Sequence, residues 1–321
     1  MTSITDIQTE IKPELSLLNE RIAQRLHSSN ALMNTVIENY LKVKGKQIRP
    51  ILVMLSARLF GEVNDRVIAS AAAVELLHNA SLIHDDVVDD TRTRRGVTTI
   101  NGLWDNHIAV LVGDYFVSTS LQEAISTGDS RAIASIANLG KLLSLGEIDQ
   151  IYNARYHCLS EEAYLGVISR KTASLFVACV EMGAYAVDAD VRYISHLRDF
   201  AELLGLCFQI KDDIFDYFDD DKIGKPTGND LREGKITLPL LHALLENPDS
   251  PMCELAMKDQ LDEQEILTLI NYAKECNGIE YAYDYMKRLY NKACEQLQFL
   301  PDGPGREAFD ALFRYVISRD S

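Results

Sequence analysis

The sequence predicts an all-α protein. Long segments place alanine, leucine, isoleucine and valine at the spacing of one helix face. Alternating apolar and polar residues bounded by hairpin turns, which would indicate strands, are hard to find. The composition is 47% hydrophobic and 25% charged with a mean hydropathy of -0.08, which is typical of a globular protein with ample material for a core.

The helical pattern runs through most of the chain. Its clearest example, residues 66–88, contains neither glycine nor proline, and the later helical segments are residues 108–125, 131–154, 171–187 and 194–218. We expect polar loops at residues 92–102 and 219–239, and the length of the second is typical of a functional loop. No linker rich in proline, glycine or serine divides the chain, so we expect a single domain spanning residues 1–321.

Charge and cysteine content exclude several classes of protein. The net charge of -16 argues against general nucleic-acid binding, which needs a basic surface. No apolar run approaches the roughly 18 residues of a membrane span, so we expect no integral membrane segment. The six cysteines are scattered without a CxxC pair, and the first residues are polar and acidic, unlike a signal peptide. We therefore expect a cytoplasmic protein with reduced thiols.

Two clusters of aspartate share the spacing i, i+1 and i+4. These clusters, called here the first and second aspartate triplets, are Asp85, Asp86 and Asp89, and Asp212, Asp213 and Asp216. Each ends a long apolar helical segment, so the first and third carboxylates of each triplet should lie side by side on one helix face. Carboxylates held that close repel one another, and a cation between them would relieve the repulsion.

Magnesium is the cation that these carboxylates favour. It usually binds few protein carboxylates and takes phosphate oxygens as further ligands, which indicates a phosphate ester or diphosphate partner. Basic residues near the triplets support such a partner. They are Arg94 and Arg95 after the first triplet, Lys225 and Lys235 after the second, and Lys44, Lys46 and Arg49 in an earlier segment. The alternative, that both triplets are solvated helix ends, leaves their matching spacing and basic loops unexplained.

With these motifs the chain resembles the trans-isoprenyl diphosphate synthases, also called polyprenyl synthetases. The family motif DDxxDxxxxRRG is matched in full by residues 85–96. A second motif, FQxxDDxxD followed by GK, is matched by residues 208–216 with Gly224 and Lys225. The segments GKQIRP (residues 45–50), ELLHNASLIHDD and RKTASLF are also similar to the family.

The resemblance covers at least residues 45–240, with the motifs in the family's order. Lys44 and Gln47 stand where many members have glycine and arginine, a departure that leaves the ligand positions intact. The segment after Asn247 carries no recognisable motif.

The resemblance implies a fold and a reaction. The fold is a bundle of long antiparallel helices around a central cavity, the isoprenoid synthase fold, in a homodimer. The reaction is the Mg²⁺-dependent head-to-tail condensation of isopentenyl diphosphate onto an allylic diphosphate such as farnesyl diphosphate, with three Mg²⁺ ions in each active site. Positive charge lowers the barrier because it neutralises the charge that develops on the departing diphosphate. The released diphosphate then takes up a proton, so no protein base is expected.

The resemblance also assigns roles by position. For the metal ions, the implied ligands are Asp85 and Asp89 with Asp86 in support, and Asp212 with Asp213 and Asp216 acting directly or through water. For the allylic diphosphate, they are Arg94, Lys171 and Lys225, with Lys235 as a further candidate. For isopentenyl diphosphate, bound without metal, they are Lys46, Arg49, His78 and Arg95. Facing the developing carbocation are Thr172 and Gln209.

Other interpretations stay open. His78 could be a core histidine of an apolar helix, and Thr172 could hydrogen-bond the backbone of its own helix. A class I terpene cyclase would share the ionisation step but would not need a second, metal-free diphosphate site. A non-catalytic subunit of a heteromeric synthase should have lost a triplet. A calcium-binding or scaffold protein would leave the basic loops unexplained.

Product length depends on the helix that precedes the first triplet. The stripe that contains Asp85 runs back through Ser81, His78, Leu77 and Val74, and it would face the growing chain. Short-chain family members have an aromatic residue four or five positions before the first aspartate, where this chain has Ser81 and Ala80. Both are small, so we expect a product longer than C20, in the range C30 to C45, and transient membrane contact when it is released. A short-chain geranylgeranyl or farnesyl diphosphate synthase is the alternative.

Overall fold

A computed structural model of the chain describes residue 6 and residues 9–42, 45, 47–94, 96–218 and 227–319. In these ranges most of the backbone is helical and almost none of it is in strands, which confirms the all-α prediction. Numbered along the chain, the helices are α1 (Lys12–Leu26), α2 (Ala31–Leu41), α3 (Ile48–Arg58), α4 (Asp65–Val88), α5 (Ile100–Leu103), α6 (Asn106–Ser126), α7 (Ser130–Arg155), α8 (Glu161–Ile168), α9 (Ser174–Ala186), α10 (Val191–Phe215), α11 (Asn229–Arg232), α12 (Leu238–Glu246), α13 (Pro251–Ala256), α14 (Glu263–Glu275), α15 (Gly278–Leu297) and α16 (Pro304–Ser318).

A short hairpin stands where the sequence predicted a polar loop. Strand β1 (Thr93–Arg94) pairs antiparallel with β2 (Val97–Thr98). Gly96, in the connecting turn, has a φ of 75°, a conformation that glycine adopts without strain. The hairpin comes directly after the first triplet and fixes the direction in which the chain leaves α4.

Two predicted helical segments differ from the observed elements. The segment 171–187 begins in a π-helical turn, Ser169–Ala173, and only then continues as α9. The segment 194–218 forms α10 but ends at Phe215, so Asp216 lies in the turn after the helix. Both differences fall on residues assigned to the site.

The chain divides into two compact units. Unit 1 consists of Met1–Lys141, Leu175–Arg198 and Leu300–Ala311, and unit 2 consists of Leu142–Ser174, Asp199–Phe299 and Leu312–Ser321.

Unit 1 is built around α4, which is buried on nearly all sides and packs against α1, α3 and α6. Small residues allow α6 to approach closely. The Ser120 hydroxyl donates to the Ala73 carbonyl at 2.6 Å, and a Cβ on Gly113 would lie 2.2 Å from His84 Nε2. At the start of α4 the Asn64 side chain accepts the Val67 N–H, which caps the helix. The first triplet therefore ends a firmly packed helix.

In unit 2, α12 packs against α8, α14 and α15. Gly278 begins α15 and allows this contact, because a Cβ there would lie 2.1 Å from the Pro239 carbonyl oxygen. The rings of Phe200 on α10 and Phe313 on α16 meet edge to face at 5.5 Å. The last helix therefore contacts the helix that carries the second triplet.

Among the described helices, two are long and apolar enough to cross a membrane by length and composition alone. They are α4 and the continuous helical stretch Glu161–Ala186, although the sequence predicted no such run. Within the most apolar windows, 67% and 56% of the residues are buried inside the protein. Core helices of a soluble protein pass the same test, so this finding argues little for a membrane span.

Candidate active site

The first triplet lies where α4 ends and the chain turns into the hairpin. Asp86 is buried, and its Oδ1 accepts a hydrogen bond from Arg94 Nε at 2.7 Å. Burial raises the pKa of the Asp86 carboxyl, and Arg94 opposes that shift. Asp85 is half-buried and Asp89 is exposed, and the Asp89 N–H donates to the Asp85 carbonyl at 2.8 Å. The first and third aspartates thus reach solvent, while the middle one is held by the hairpin.

Asn101 fixes the loop against the end of α4. Its side chain is buried, and Nδ2 donates to the carbonyls of Asp86 at 2.9 Å and Thr91 at 3.2 Å. The Thr99 hydroxyl also donates to the Thr91 carbonyl, at 2.9 Å. Together with the Thr91 N–H, which donates to the Asp86 carbonyl at 2.9 Å, these bonds tie the loop to the last turn of α4.

The residues predicted to bind isopentenyl diphosphate are described in part. Arg49 and His78 lie on α3 and α4, two helices of unit 1 that pack together. Arg49 is half-buried in the first turn of α3, with its guanidinium 5.9 Å from the centroid of the Phe176 ring. His78 is buried. Lys46 and Arg95 lie outside the described residues, as does Lys225 of the predicted allylic site.

In the second triplet, Asp213 is the inward residue. It is buried, and its oxygens accept hydrogen bonds from the Tyr164 hydroxyl at 2.6 Å and the Gln209 side-chain amide at 2.8 Å. Burial raises the pKa of Asp213 to about 7, although both hydrogen bonds lower it. Its oxygens are therefore occupied by protein donors.

Asp216 serves the start of α11. One carboxylate oxygen accepts the backbone N–H of Asn229 and the other that of Asp230, each at 3.0 Å. The sequence predicted that Asp216 continues the helix face of Asp212, but α10 has already ended at Phe215. The resulting turn directs the Asp216 carboxylate towards the backbone of the next short helix.

Asp212 is more open than the buried Asp213, with its side chain 41% exposed. Its Oδ1 accepts a hydrogen bond at 2.5 Å from Arg319, which comes directly after α16. Arg319 also donates to the Phe208 carbonyl at 3.1 Å, and its guanidinium lies 4.1 Å from the centroid of the Phe208 ring. The segment after Asn247, which has no motif, thus contributes a cation to this triplet.

Lys171 and Thr172 lie on the π-helical turn, an element that is frequent at functional sites. Two glycines allow neighbouring helices to close on this turn. A Cβ on Gly146 of α7 would lie 2.9 Å from the Lys171 nitrogen, and one on Gly205 of α10 would lie 2.5 Å from the Cα of Ala173. The turn is therefore held tightly between α7 and α10 within unit 2.

The side chains of this turn have defined partners. The Thr172 hydroxyl donates to Gln209 Oε1 at 2.7 Å. The alternative interpretation, in which this hydroxyl donates to the backbone of its own helix, is therefore wrong. Lys171 forms an ion pair with Glu147 and donates to Gln150 Oε1 at 3.3 Å.

A cavity of about 190 Å³ in unit 2 brings most of these residues together. The functional side chains that line it are Tyr164, Lys171, Thr172, Gln209, Asp213, Asp230 and Lys235. Lys235 is paired there with Glu233. Burial and the nearby carboxylates of Asp213 and Asp216 raise the pKa of Asp230 well above its usual value.

Sequence reasoning missed Glu147, Tyr164, Asp230 and Arg319. Tyr164 is 49 residues from its partner Asp213, and Arg319 is 107 residues from Asp212. No local pattern connects such pairs. Asp230 alone carried a signal, because it is an acidic residue inside a loop that was already predicted to be functional.

The predicted wall for the growing chain is partly enclosed by protein. Val74, Leu77 and Ala80 are buried, while Ser81 is half-buried and donates its hydroxyl to the His78 carbonyl at 2.8 Å. Ala80 shares a helix face with Ala73 and His84, both of which contact α6. Ala80 therefore faces α6, and Ser81 lies about 100° around the helix from it.

The donor chemistry of the triplets fits a hydrated divalent cation. Asp85, Asp89 and Asp212 offer accessible carboxylate oxygens, and Mg²⁺ typically takes only one or two protein carboxylates together with water and phosphate oxygens. Among the described residues, no three His, Cys, Asp or Glu side chains are grouped as a metal site formed by protein alone. Water and substrate oxygens are the further ligands that a Mg²⁺ ion at these carboxylates would take.

Comparison with known proteins identifies the family. Residues 30–273 match the family model for polyprenyl synthetase. An octaprenyl diphosphate synthase of Escherichia coli (strain K12) is 32% identical over 310 residues, which are 96% of each chain. The crystal structure of a polyprenyl synthase from Caulobacter crescentus CB15, complexed with calcium and isoprenyl diphosphate, is 31% identical with a TM-score of 0.91 over 100% of this chain and 99% of that chain.

A second solved structure is also similar over nearly the whole chain. A geranylgeranyl pyrophosphate synthase from Bacteroides thetaiotaomicron is 40% identical with a TM-score of 0.85, over 99% of this chain and 100% of that chain. Fold, site and matches together define a prenyltransferase of isoprenoid biosynthesis. The chain belongs to the polyprenyl synthetase family. Members of this family depend on divalent metal ions and use isoprenyl diphosphates.

Proposed function

We propose that this chain is a long-chain trans-polyprenyl diphosphate synthase. It condenses isopentenyl diphosphate head-to-tail onto an allylic diphosphate such as farnesyl diphosphate and releases diphosphate. The observation that carries this proposal is the cavity of unit 2, where Lys171, Thr172 and Gln209 lie on one closely packed turn and the helix beside it. A cation next to oriented oxygen atoms suits a reaction that separates diphosphate from a carbocation.

The triplets would hold the metal ions for this single reaction of a single domain. Asp85 and Asp89 are the ligands at the first triplet and Asp212 at the second, with three Mg²⁺ ions in all. Mg²⁺, when bound, neutralises the negative charge that develops on the departing diphosphate. Asp86 and Asp213 orient their neighbours, because both are buried and engaged by Arg94 and by Tyr164 with Gln209.

The basic residues would bind the two diphosphates. Arg94, Lys171 and Lys225 hold the allylic diphosphate, with Lys235 at the same cavity. Each of the described cations already faces a carboxylate, so its charge is held in place before substrate arrives. Isopentenyl diphosphate is held by Lys46, Arg49, His78 and Arg95. Thr172 and Gln209 face the carbocation with oxygen atoms, which stabilises it electrostatically.

The small side chains of Ser81 and Ala80 support a product longer than C20, in the range C30 to C45. The octaprenyl diphosphate synthase of E. coli is a relative whose name states a long product. The 40% identity to a geranylgeranyl pyrophosphate synthase favours the second candidate, a short-chain enzyme. Product analysis decides between them.

We further propose a cytoplasmic homodimer. On α7, the exposed apolar side chains of Leu145, Ile148 and Tyr152 form one stripe, which Tyr156 extends just past the helix end. Such a stripe is suited to burial against a second copy. Light scattering should show a dimer, and Ile148→Glu should shift it towards monomer by placing a charge in the contact. A wild-type monomer at working concentration would contradict the proposal.

The activity is tested by incubating pure protein with isopentenyl and farnesyl diphosphates and Mg²⁺. Released diphosphate is measured, and the dephosphorylated products are separated by chromatography. We expect diphosphate release that needs both substrates and stops with EDTA, and products longer than C20. A C20 end product would establish the short-chain alternative. Cyclised product from farnesyl diphosphate alone would establish a terpene cyclase.

A further inference from the structure

Tyr164 has a buried hydroxyl whose only described acceptor is part of the second triplet. Its hydroxyl donates to Asp213 Oδ2 at 2.6 Å, and the ring lines the cavity of unit 2. A buried tyrosine hydroxyl needs a partner, so this bond by itself has a plain structural explanation. The bond also occupies one Asp213 oxygen. The other oxygen is then left to accept from Gln209, which fixes the direction of donation in the hydrogen bonds that follow.

The hydrogen bonds continue in one direction from Asp213 to the π-helical turn that carries Thr172. Gln209 donates through Nε2 to Asp213 Oδ1 at 2.8 Å, which leaves Gln209 Oε1 as an acceptor. The Thr172 hydroxyl donates to that Oε1 at 2.7 Å. A threonine hydroxyl has one proton and two lone pairs. With its proton committed to Gln209, Thr172 keeps only lone pairs for the cavity that it lines.

The orientation of this hydroxyl decides its effect on a carbocation. An oxygen lone pair directed at positive charge stabilises it, whereas the hydroxyl proton directed at the same place repels it. Asp213 can hold the Gln209 amide in the required orientation only while its own carboxylate is fixed. Tyr164 fixes the second oxygen of that carboxylate. The close approach of Gly205 to Ala173 keeps α10 and the π-helical turn within hydrogen-bonding distance of each other.

We propose that Tyr164 is a positioning residue for prenyl transfer, which acts through Asp213 and Gln209 to orient the Thr172 hydroxyl. This proposal rests on the proposed function, because Thr172 must face the carbocation for its orientation to matter. Tyr164 itself does not touch the reacting atoms. Its removal should therefore slow turnover without weakening the binding of either diphosphate.

The test is a double-mutant cycle of Tyr164→Phe and Thr172→Val, two substitutions that keep the side-chain shape and remove one hydroxyl each. Thr172→Val should lower kcat roughly 100-fold, as expected for removal of a preorganised polar group. Tyr164→Phe should lower kcat about tenfold, because the Thr172 oxygen remains but is less well oriented. In both variants the KM of each substrate should stay within about twofold of the wild type.

The double variant gives the decisive measurement. If Tyr164 acts through Thr172, adding Tyr164→Phe to Thr172→Val causes no further loss of kcat. Losses that multiply, or a Tyr164→Phe variant with wild-type kcat, would overturn the proposal. A Thr172→Val variant with wild-type kcat would overturn both the proposal and the role of Thr172. Diphosphate release by the wild type reports separately on the proposed function.

Tyr217→Phe is the matched control. Tyr217 is also fully enclosed in unit 2, and its hydroxyl pairs with Thr237 at 3.0 Å and accepts the Leu240 N–H at 3.3 Å, outside the path to Thr172. This variant should lose thermal stability to a similar extent as Tyr164→Phe and keep its kcat. If Tyr164→Phe is not recovered folded, 4-fluorophenylalanine at position 164 removes the donor while keeping the ring and nearly the same side-chain volume. It should show the same tenfold loss, and a wild-type kcat there would overturn the proposal.

Discussion

At the end of α4, the cation beside the triplet is Arg94, eight residues after its partner Asp86; at the end of α10 it is Arg319, 107 residues after Asp212. In both triplets the second aspartate is the buried one. In both triplets the first aspartate is more accessible to solvent than the second. The third aspartates differ, because Asp89 is exposed whereas both Asp216 oxygens accept backbone N–H groups.

This comparison shows that the same spacing of aspartates works in two different structural environments. In an i, i+1 pair the two side chains point about 100° apart on a helix, so one can face the core while the other faces solvent. The inward aspartate then needs donors, since an unpaired buried carboxylate is costly. The first triplet finds its donor in the adjacent hairpin, and the second finds donors on α8 and on α10 itself.

The largest effect should come from the accessible first aspartates. Asp85→Ala and Asp212→Ala should each lower turnover by about 10³-fold or more, since each would remove a proposed ligand of the cations that stabilise the departing diphosphate. The fold should survive, because removing like charge relieves repulsion between the carboxylates. In Asp212→Ala, Arg319 loses one partner but keeps its hydrogen bond to the Phe208 carbonyl. Asp90→Asn, at an exposed aspartate beside the first triplet, is the control and should keep its activity. Near-normal turnover of either alanine variant would contradict the assignment of these aspartates as metal ligands.

Arg94 should affect substrate binding by roughly 10- to 100-fold, which corresponds to the ~1.5–3 kcal/mol of a charge-assisted hydrogen bond. Arg94→Ala should raise the KM of the allylic substrate and leave that of isopentenyl diphosphate nearly unchanged. Arg94→Lys keeps the charge but loses the planar geometry, so it should lie in between. Substitution of Arg95 or Lys46 by alanine should raise the KM of isopentenyl diphosphate more than that of the allylic substrate. Equal weakening of both substrates by all three alanine variants would mean that the diphosphate sites are not separate.

The residues one turn before each triplet differ in size, since Ser81 precedes Asp85 and Phe208 precedes Asp212. Ser81→Phe makes the first helix resemble the second and should shorten the product to C15 or C20. Position 81 lies about 6 Å before Asp85 along the helix, so an aromatic ring there would project into the path of the prenyl chain near the diphosphate. Chromatography of the dephosphorylated products measures the change. An unchanged long product would mean that the prenyl chain runs along another wall.

Ala80→Phe provides the comparison for Ser81→Phe. Resemblance to short-chain members predicts that it also shortens the product, whereas its position facing α6 predicts overpacking at a cost of ~1–3 kcal/mol. We expect a less complete shortening together with a lower melting temperature. A shortened product at wild-type stability would show that Ala80 borders the prenyl chain rather than α6.

The smallest effects separate the third aspartates by stability. Asp216→Ala should lower the free energy of unfolding by ~1–2 kcal/mol, because the N–H groups of Asn229 and Asp230 lose their acceptors. Asp89→Ala, on the exposed side of the first triplet, should change it by no more than ~0.5 kcal/mol. Urea unfolding without metal measures both, and Asp216→Asn, which keeps one acceptor oxygen, is the control. Equal losses in the two alanine variants would contradict the division of roles described for the third aspartates.

The sequence by itself determined the helices, the two triplets and the family. Helical periodicity and motif spacing are local, so residues 66–88 and 194–218 could be assigned from neighbours within a few turns. Because these patterns are local, they did not predict where the helices end. α10 ends at Phe215, where Asp216 accepts the N–H groups of Asn229 and Asp230, and the π-helical turn at Lys171 lies where Gly146 and Gly205 allow close packing.

Only the tertiary structure decided which partners the site residues have. Tyr164 and Arg319 carry no motif, and their roles arise because folding brings them to Asp213 and Asp212 from 49 and 107 residues away. The energy of a buried carboxylate depends on the donors within hydrogen-bonding distance, whatever their position in the chain. Spacing along one helix can therefore predict that an aspartate turns inward, but the donor that meets it there is set by the packing of distant segments.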